Sequence, residues 1–552
     1  MNRRRYIREI RIGILALILT GCMGFEAHTQ YDQKDRPNLV VSIVVDQMRY
    51  DYLTRYWEKF GDDGFKRLIQ EGYFFENAHY DYAPTYTAPG HASISTGTTP
   101  AVHGIIGNSW FDKVSGQTIY CAGDTSVTTL GSDSDAGEMS PRNMLSTTLA
   151  DQMKLASNFR NKSIGISIKD RGAILPAGHS ADLALWYDGK NGKWVSSSFY
   201  GNSLPQWVQE YNDSGEVEKM LSGSWTPLLP IEEYVESIPD ANPFERPYSK
   251  GSLPVFPYDL SELKEQHGTG LIRATPFGNT MTIDVAKRAV LNENLGRGDF
   301  TDFLSISFSS TDYIGHQFGP RSIEIQDTYL RLDRELAELL TFLDAEVGDQ
   351  SYTVFLTADH GAVETPLYLQ NFEIPSGYFR YEQFKSGMNE YLSERFGDRM
   401  WIRNISNDQV FIDHEVIKER KKNKDEIIDA IIEFSLAFEG IQDAISAEQL
   451  HLGTFAQHHL AILQKGFHHR RSGDVILLLE PGWITYFRQG TTHGSTYNYD
   501  THIPLIFYGK GIPKGQSFTK VQITDIAPTL AAFLRIQPPN GTTGHIITEL
   551  FR

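Results

Sequence analysis

The run Asn38-Leu-Val-Val-Ser-Ile-Val-Val-Asp46 is almost wholly apolar, rich in β-branched residues, and stops on a carboxylate. A strand with one wet face alternates apolar and polar residues; a run without alternation has to be covered on both faces. Three similar runs recur, Phe303 to Ser309 (FLSISFS), Tyr352 to Thr357 (YTVFLT) and Ile503 to Tyr508 (IPLIFY). Helical patterns lie between them, notably Ile325 to Val347, with apolar residues three and four apart, and Thr524 to Leu534. This alternation predicts an α/β fold in which the runs are central parallel strands under helices.

Two stretches fit that scheme poorly. Residues about 175–280 are rich in Gly, Pro, Ser, Trp and Tyr. Residues about 363–485 mix a basic helix around Lys418 to Lys424 with turn-rich pieces and one strand at 475–480. Both are expected to be insertions that cap the sheet edge within one catalytic domain, 37–552.

The N-terminus is set apart by charge. Arg3, Arg4, Arg5, Arg8 and Arg11 precede an uncharged apolar stretch, Ile12 to Gly21. That stretch is short of the roughly 20 residues a membrane span needs and reads as an export signal over 1–22, followed by a polar linker, 23–36. Leu19-Thr20-Gly21-Cys22 also fits a bacterial lipoprotein signal, in which Cys22 is lipidated and becomes the mature N-terminus. A plain cleavable signal with an incidental cysteine fits the same residues. The expected location is the periplasm, with the outer membrane reached only through such a lipid. Cys121 is then the one remaining cysteine, so no internal disulfide is expected.

The net charge is −18, and because the first thirteen residues carry +4 the remainder carries −22. Such a field argues against a nucleic-acid backbone or an anionic bilayer as main partner. An anionic substrate would need local cations, and bound metal is the expected source.

The placement of carboxylates and histidines is informative, because ligands of open α/β sheets bind beyond the carboxyl ends of the strands. Asp46 ends the first run. Asp312 follows FLSISFS, with His316 four residues on; Asp359-His360 follow YTVFLTA; His493 lies in GTTHGS, ahead of IPLIFY. Asp-x-x-x-His places both side chains on one face of a helical turn. Mixed carboxylate and imidazole ligation suits zinc. Six such groups exceed the needs of one tetrahedral ion and suit two. Each alone is more often a turn residue; all six together at strand-associated positions point to metal. His458-His459 and His468-His469, beside Arg470-Arg471, read instead as surface residues.

In Pro84-Thr-Tyr-Thr-Ala-Pro-Gly-His-Ala-Ser-Ile-Ser-Thr-Gly97, Pro89 and Gly90 leave Thr87 at the entrance to a short helix. Backbone N–H groups there favour an anion, and a hydroxyl beside a metal can ionise and attack phosphorus. A plain N-cap role for Thr87 fits equally well. In Ser167-Ile-Lys169-Asp-Arg171 two cations stand two residues apart, and in an extended segment they project the same way as an oxyanion clamp. The alternative is a solvated pair around Asp170.

PTYTAPGHASISTG, HGIIGN, DYIGH, TADHG and the THGS loop together resemble the alkaline phosphatase superfamily. Thr as nucleophile with SIKDRGA resembles the phosphate-irrepressible alkaline phosphatases of bacteria, from about Pro37 to the C-terminus. That resemblance implies a mostly parallel central sheet with inserted cap segments and two Zn2+ ions. One zinc would be held by Asp46, Asp359 and His360 with the Thr87 oxygen, the other by Asp312, His316 and His493. Asn108, Lys169 and Arg171 would contact the phosphoryl oxygens, and Lys169 would stand where some relatives carry magnesium. The implied activity is hydrolysis of small-molecule phosphate monoesters through a phosphothreonine at Thr87, over a broad substrate range. A diesterase like the nucleotide pyrophosphatase/phosphodiesterases shares the Thr and Asn motifs, and an inactive binder of phosphorylated ligands would use the same pocket.

Overall fold

Every residue of β1 (Leu39–Val45) is buried, as its unbroken apolar pattern requires. The computed structural model describes residues 36–456 and 458–551, so the expected export signal and nearly all of the linker lie outside the described residues. After β1 the main sheet takes up β2 (Tyr73–His79), β3 (Thr129–Leu130), β4 (Ser163–Ser167), β5 (Leu183–Asp188), β6 (Lys193–Ser197), β7 (Asp302–Phe308), β8 (Tyr352–Thr357), β9 (His502–Gly509) and β10 (Gly515–Ser517). Across the sheet they lie β10-β2-β9-β8-β1-β7-β4-β5-β6-β3, and Val521–Gln522 pairs with β2 as an eleventh strand. Helices flank this sheet, which gives the α/β class expected from the alternation.

The register at the centre builds the site. β1 runs parallel to β7 and β8, with Val45 opposite Phe308 and Val44 opposite Thr357. The carboxyl ends of the three strands therefore finish level, and the residues that follow them emerge at one edge. The helices that use this edge are α1 (Thr87–Thr96), α2 (Asp170–Ala177) and α3 (Ser310–Phe318). The long periodic segment forms α4 (Ile323–Leu343), capped by Ser322, whose hydroxyl accepts from the Ile325 N–H at 3.2 Å. Leu332, Leu336, Leu339, Leu340 and Leu343 are buried along it, each worth about 1.5–3 kcal/mol relative to exposure.

Three expectations are corrected. The IPLIFY run forms β9, and β9 is antiparallel to both β8 and β2. The other three runs are mutually parallel as expected, but a continuous apolar run reports cover on both faces and carries no direction of its own, so it could not set that of β9. The stretch 175–280 is not wholly an insertion: β5 pairs parallel with β4 and β6 follows antiparallel, extending the main sheet. Their short runs were hidden among aromatic and glycine residues. The basic run is not one helix: Lys418 lies in the last turn of the helix His414–Glu419 and Lys424 begins the helix Lys424–Leu436. Between them Arg420 to Asn423 form an exposed turn in which Lys421 is left-handed and Asn423 caps the second helix. Like charges in sequence are best solvated in such a turn.

Within 363–485, strands Ile402–Ser406, Gln409–Ile412, Ile441–Ser446 and Val475–Leu479 form a separate four-stranded sheet. Phe384, Met388, Trp401, Ile427, Ile431 and Val475 give it an apolar core of its own. The turn residue Asn407 ties it to the catalytic side by donating to the Ser109 carbonyl at 2.7 Å. No helix among the described residues is long and apolar enough to cross a membrane.

Candidate active site

Thr87 is the first residue of α1, a helix buried along its whole length. Its hydroxyl does not cap the helix, which removes the plain N-cap reading. Instead Oγ1 lies 3.3 Å from Lys169 Nζ. Gly90 lets α1 approach closely: a Cβ there would meet the Asp359 carbonyl at 2.4 Å. His91, one turn along, donates from Nδ1 to the Thr87 carbonyl at 2.9 Å, and Nε2 of the neutral ring accepts from Ser307 Oγ at 2.8 Å; Nδ1 is also 3.4 Å from Asp359 Oδ2.

Lys169 ends the extended segment after β4 and is buried, with its ammonium 2.6 Å from both Asp46 Oδ2 and Asp312 Oδ2. Burial works against its charge, but the two carboxylates prevail and hold its pKa above the usual lysine value. Contrary to the expectation of an extended segment carrying both cations, Arg171 lies in the first turn of α2. Asp170 opens that helix, so the backbone bends between the two cations. Arg171 is anchored by the Tyr120 hydroxyl at 3.1 Å, while its Nε is buried with no hydrogen-bond partner among the described residues. Neither cation is a freely solvated surface group. Asn108 sits at the mouth of α1, where Oδ1 accepts from the Ala88 N–H at 2.9 Å.

Two groups of side chains can each enclose an ion, Asp46–Asp359–His360 and Asp312–His360–His493, with ligand atoms in each group within 4.8 Å of one another. His316 joins the second group through Nε2, 3.2 Å from Asp312 Oδ1. His360 and His493 stack with ring centroids 3.4 Å apart. Asp46 Oδ1, Asp359 Oδ2 and His360 Nε2 are all buried and make no hydrogen bond among the described residues, although buried polar atoms nearly always find one. Three converging donors without partners, two anionic and one imidazole, fit a divalent cation with zinc-like preferences.

The electrostatics agree. Burial, reinforced by Asp312, pushes the Asp46 carboxyl up to about 6, and burial next to Asp46 pushes Asp359 well above the carboxylate range. Burial keeps His360 and His493 below the usual histidine value, hence neutral and ready to ligate. Asp312 is the exception: burial opposes its charge, but His316 and Lys169 hold it well below the usual range.

Three residues that sequence reasoning passed over shape these ligands. Gln47, left-handed at φ 62°, donates its N–H to Asp359 Oδ1 at 3.1 Å and its Nε2 to Asp312 Oδ1 at 2.7 Å. Its place directly after the strand-end Asp46 was the available signal. Asp500 Oδ2 accepts from Gly494 N, Ser495 N and Ser495 Oγ at 3.0, 2.7 and 2.6 Å, fixing the loop that carries His493. His91 stood inside the quoted Thr87 motif. The paired histidines in the cap divide: His468 is buried and hydrogen-bonded within its own turn, contrary to the surface assignment, whereas His469 is exposed.

The family model described as type I phosphodiesterase / nucleotide pyrophosphatase matches residues 40–502. The chain belongs to that family. It lies within the alkaline phosphatase superfamily that the motifs resemble. Among curated relatives of this phosphodiesterase-family chain, a protein named calcium-transporting ATPase from Myroides odoratus is 44% identical over 94% of this chain and 95% of its own. Alkaline phosphatase PafA from Elizabethkingia meningoseptica is 42% identical over 97% of each chain. The crystal structure of wild-type PafA matches with a TM-score of 0.90 at 43% identity, covering 93% of this chain and 99% of that one. The murine ectonucleotide pyrophosphatase/phosphodiesterase 5 matches at a TM-score of 0.50 and 13% identity, a likeness of fold alone.

Proposed function

We propose that this protein is an exported, metal-dependent phosphate-monoester hydrolase, an alkaline phosphatase, that transfers the phosphoryl group to Thr87 before releasing inorganic phosphate. The observation that carries the reading is a hydroxyl at a helix N-terminus, 3.3 Å from a buried ammonium and flanked by two ligand groups with orphaned donors. Likeness over nearly the whole chain to relatives named alkaline phosphatases supports it.

Asp46, Asp359 and His360 would hold one zinc ion, and Asp312, His316 and His493 the other. Bound there, the ions supply positive charge that favours an ionised Thr87 and stabilises charge on the departing oxygen. Thr87 Oγ1 forms a bond to phosphorus as the ester oxygen leaves with its electron pair, giving phosphothreonine and, after protonation, the alcohol. Water then attacks the same phosphorus from the opposite side, and Thr87 leaves as the second leaving group. Splitting hydrolysis into two displacements lowers the difficulty of each. Asn108 and Arg171 bind phosphoryl oxygens, and the α1 N–H groups add their dipole. Lys169 offsets Asp46 and Asp312 and stands beside the nucleophile.

A monoester brings one more anionic oxygen than a diester, so the Lys169 and Arg171 charges favour monoesters. Rapid acid quench during turnover of p-nitrophenyl phosphate, followed by peptide mass spectrometry, is expected to recover phosphate on Thr87. Label on another side chain, or none throughout steady state, would overturn the assignment. The export reading rests on residues 1–22; radiolabelled palmitate incorporation that disappears in Cys22→Ser supports the outer-membrane lipoprotein form over a free periplasmic one.

A further inference from the structure

A cavity of about 220 Å³ lies between the catalytic edge and the cap sheet, with His493 and Gly494 on one side and Ile476 to Leu479 on the other. That is several times the roughly 30 Å³ one water occupies in the liquid, enough for a small organic group. Its lining contains two carboxylates, Asp408 and Asp500, together with Tyr86, Tyr381, Trp483 and Tyr499, and neither lysine nor arginine. In a protein whose neighbouring site is built to attract anions, this cavity repels them.

Asp408 is held there by backbone. It is the second of two left-handed residues, after Asn407, in the turn joining Ile402–Ser406 to Gln409–Ile412. Asn407 fastens the turn to Ser109, and the Asp408 carbonyl accepts from Leu477 N at 2.8 Å. The Asp408 carboxylate itself makes no hydrogen bond or ion pair among the described residues, and burial alone pushes it up to about 6. Asp408 is half-buried, whereas Asp500 Oδ1 is buried and has no hydrogen-bond partner among the described residues. Trp483 is fixed by close contact with two glycines, where a Cβ on Gly440 or Gly377 would come within 2.3 or 2.7 Å of its ring.

We propose that this cavity binds an organic ammonium group, with Asp408 as its counter-charge and the surrounding aromatic side chains as its apolar and cation-attracting walls. A half-buried carboxylate without a partner, beside the buried Asp500 Oδ1, is costly to keep charged, and a cation in the cavity offsets that cost. A hard metal ion demands six or more oxygen ligands, which aromatic rings do not supply. An ammonium is satisfied by one carboxylate and ring faces. Because Tyr86 and His493 border the cavity and also the catalytic edge, an ammonium held here would select amine-bearing leaving groups; that consequence rests on the proposed hydrolase, whereas the binding does not.

The test is calorimetric titration of the full chain with choline chloride and, separately, with its neutral isostere 3,3-dimethyl-1-butanol. Neither probe carries phosphate, so the outcome is independent of whether the protein hydrolyses esters. Saturable choline binding at least about tenfold tighter than the alcohol is expected, from the charge and ring contributions. Asp408→Asn should weaken choline binding at least about tenfold, and asparagine tolerates the left-handed backbone. Tyr381→Leu should weaken it several-fold with the melting temperature retained. Equal affinity for the two probes, no saturable choline binding, choline binding unchanged in both variants, or displacement of choline by micromolar calcium chloride would each overturn the proposal.

Discussion

The Lys169 ammonium stands 3.3 Å from the Thr87 hydroxyl oxygen, and two carboxylates keep it there. Its first task is electrostatic: Asp46, Asp312 and Asp359 are buried together, and Lys169 is the cation that contacts two of them. Removing one member of a buried ionic group leaves charge uncompensated, at a cost of about 3–5 kcal/mol. Lys169→Met is therefore expected to lose stability of that order in metal-stripped protein and much less after zinc is restored. Urea unfolding in chelator and in zinc measures both; equal stability of variant and parent in chelator would refute this account.

Thr87 makes no cap hydrogen bond, so its hydroxyl contributes little to holding α1. Thr87→Ala should keep the parent melting temperature within a degree or two while losing ~10³-fold or more in kcat/KM on a monoester, the scale seen when nucleophiles are deleted. Thr87→Ser, which keeps the oxygen, should retain most of the activity. A fully active Thr87→Ala variant would point to a different nucleophile.

Metal affinity should depend on a residue that binds no metal. Asp500 organises Gly494 and Ser495 beside His493 through three hydrogen bonds. Outer-shell partners of this kind are typically worth 10–100-fold in metal affinity or activity. Asp500→Ala is expected to give up zinc to a competing chelator about 10–100-fold more readily, with activity regained as free zinc rises. Unaltered zinc retention would show that the loop holds itself.

Stability should fall with rising pH through a buried carboxyl that belongs to neither candidate ligand group. Glu324, in the first turn of α4, is fully buried beside Tyr258, and burial pushes its pKa up to about 8 from a usual 4.5. The folded state then keeps a proton that the unfolded chain has lost, so this group's contribution declines as pH rises from 4.5 towards 8. Glu324→Gln cannot ionise. Thermal melts should show the variant matching the parent near pH 5 and exceeding it near pH 9; parallel profiles for both proteins would contradict the assignment.

Much of the site was legible because strand ends announce themselves. An apolar run that stops on Asp46, and another followed by Asp359-His360, mark where a parallel sheet opens to ligands, and the Asp312–His316 spacing fits one face of α3. Arg171 was misplaced because its projection depends on where the helix begins, and Asp170 starts α2 one residue earlier than an extended reading allows. Gln47 went unseen because its partners, Asp359 and Asp312, are distant in sequence, and Asp500 because the turn that folds it back onto Gly494 and Ser495 has no periodic pattern.

Burial pattern, being a local property of side chains, is written in the chain: it determined which runs are interior strands, where helices lie between them and which polar residues stand at their ends. Direction and partnership are not local. The His493 loop precedes β9, and only because β9 runs antiparallel to β8 does that loop emerge at the edge where Asp46 and Asp359 lie. A parallel β9 with the same apolar residues would have placed His493 at the opposite end of the sheet. Tertiary pairing decided that, since backbone hydrogen bonds accept either direction and only the packing of the whole chain selects one.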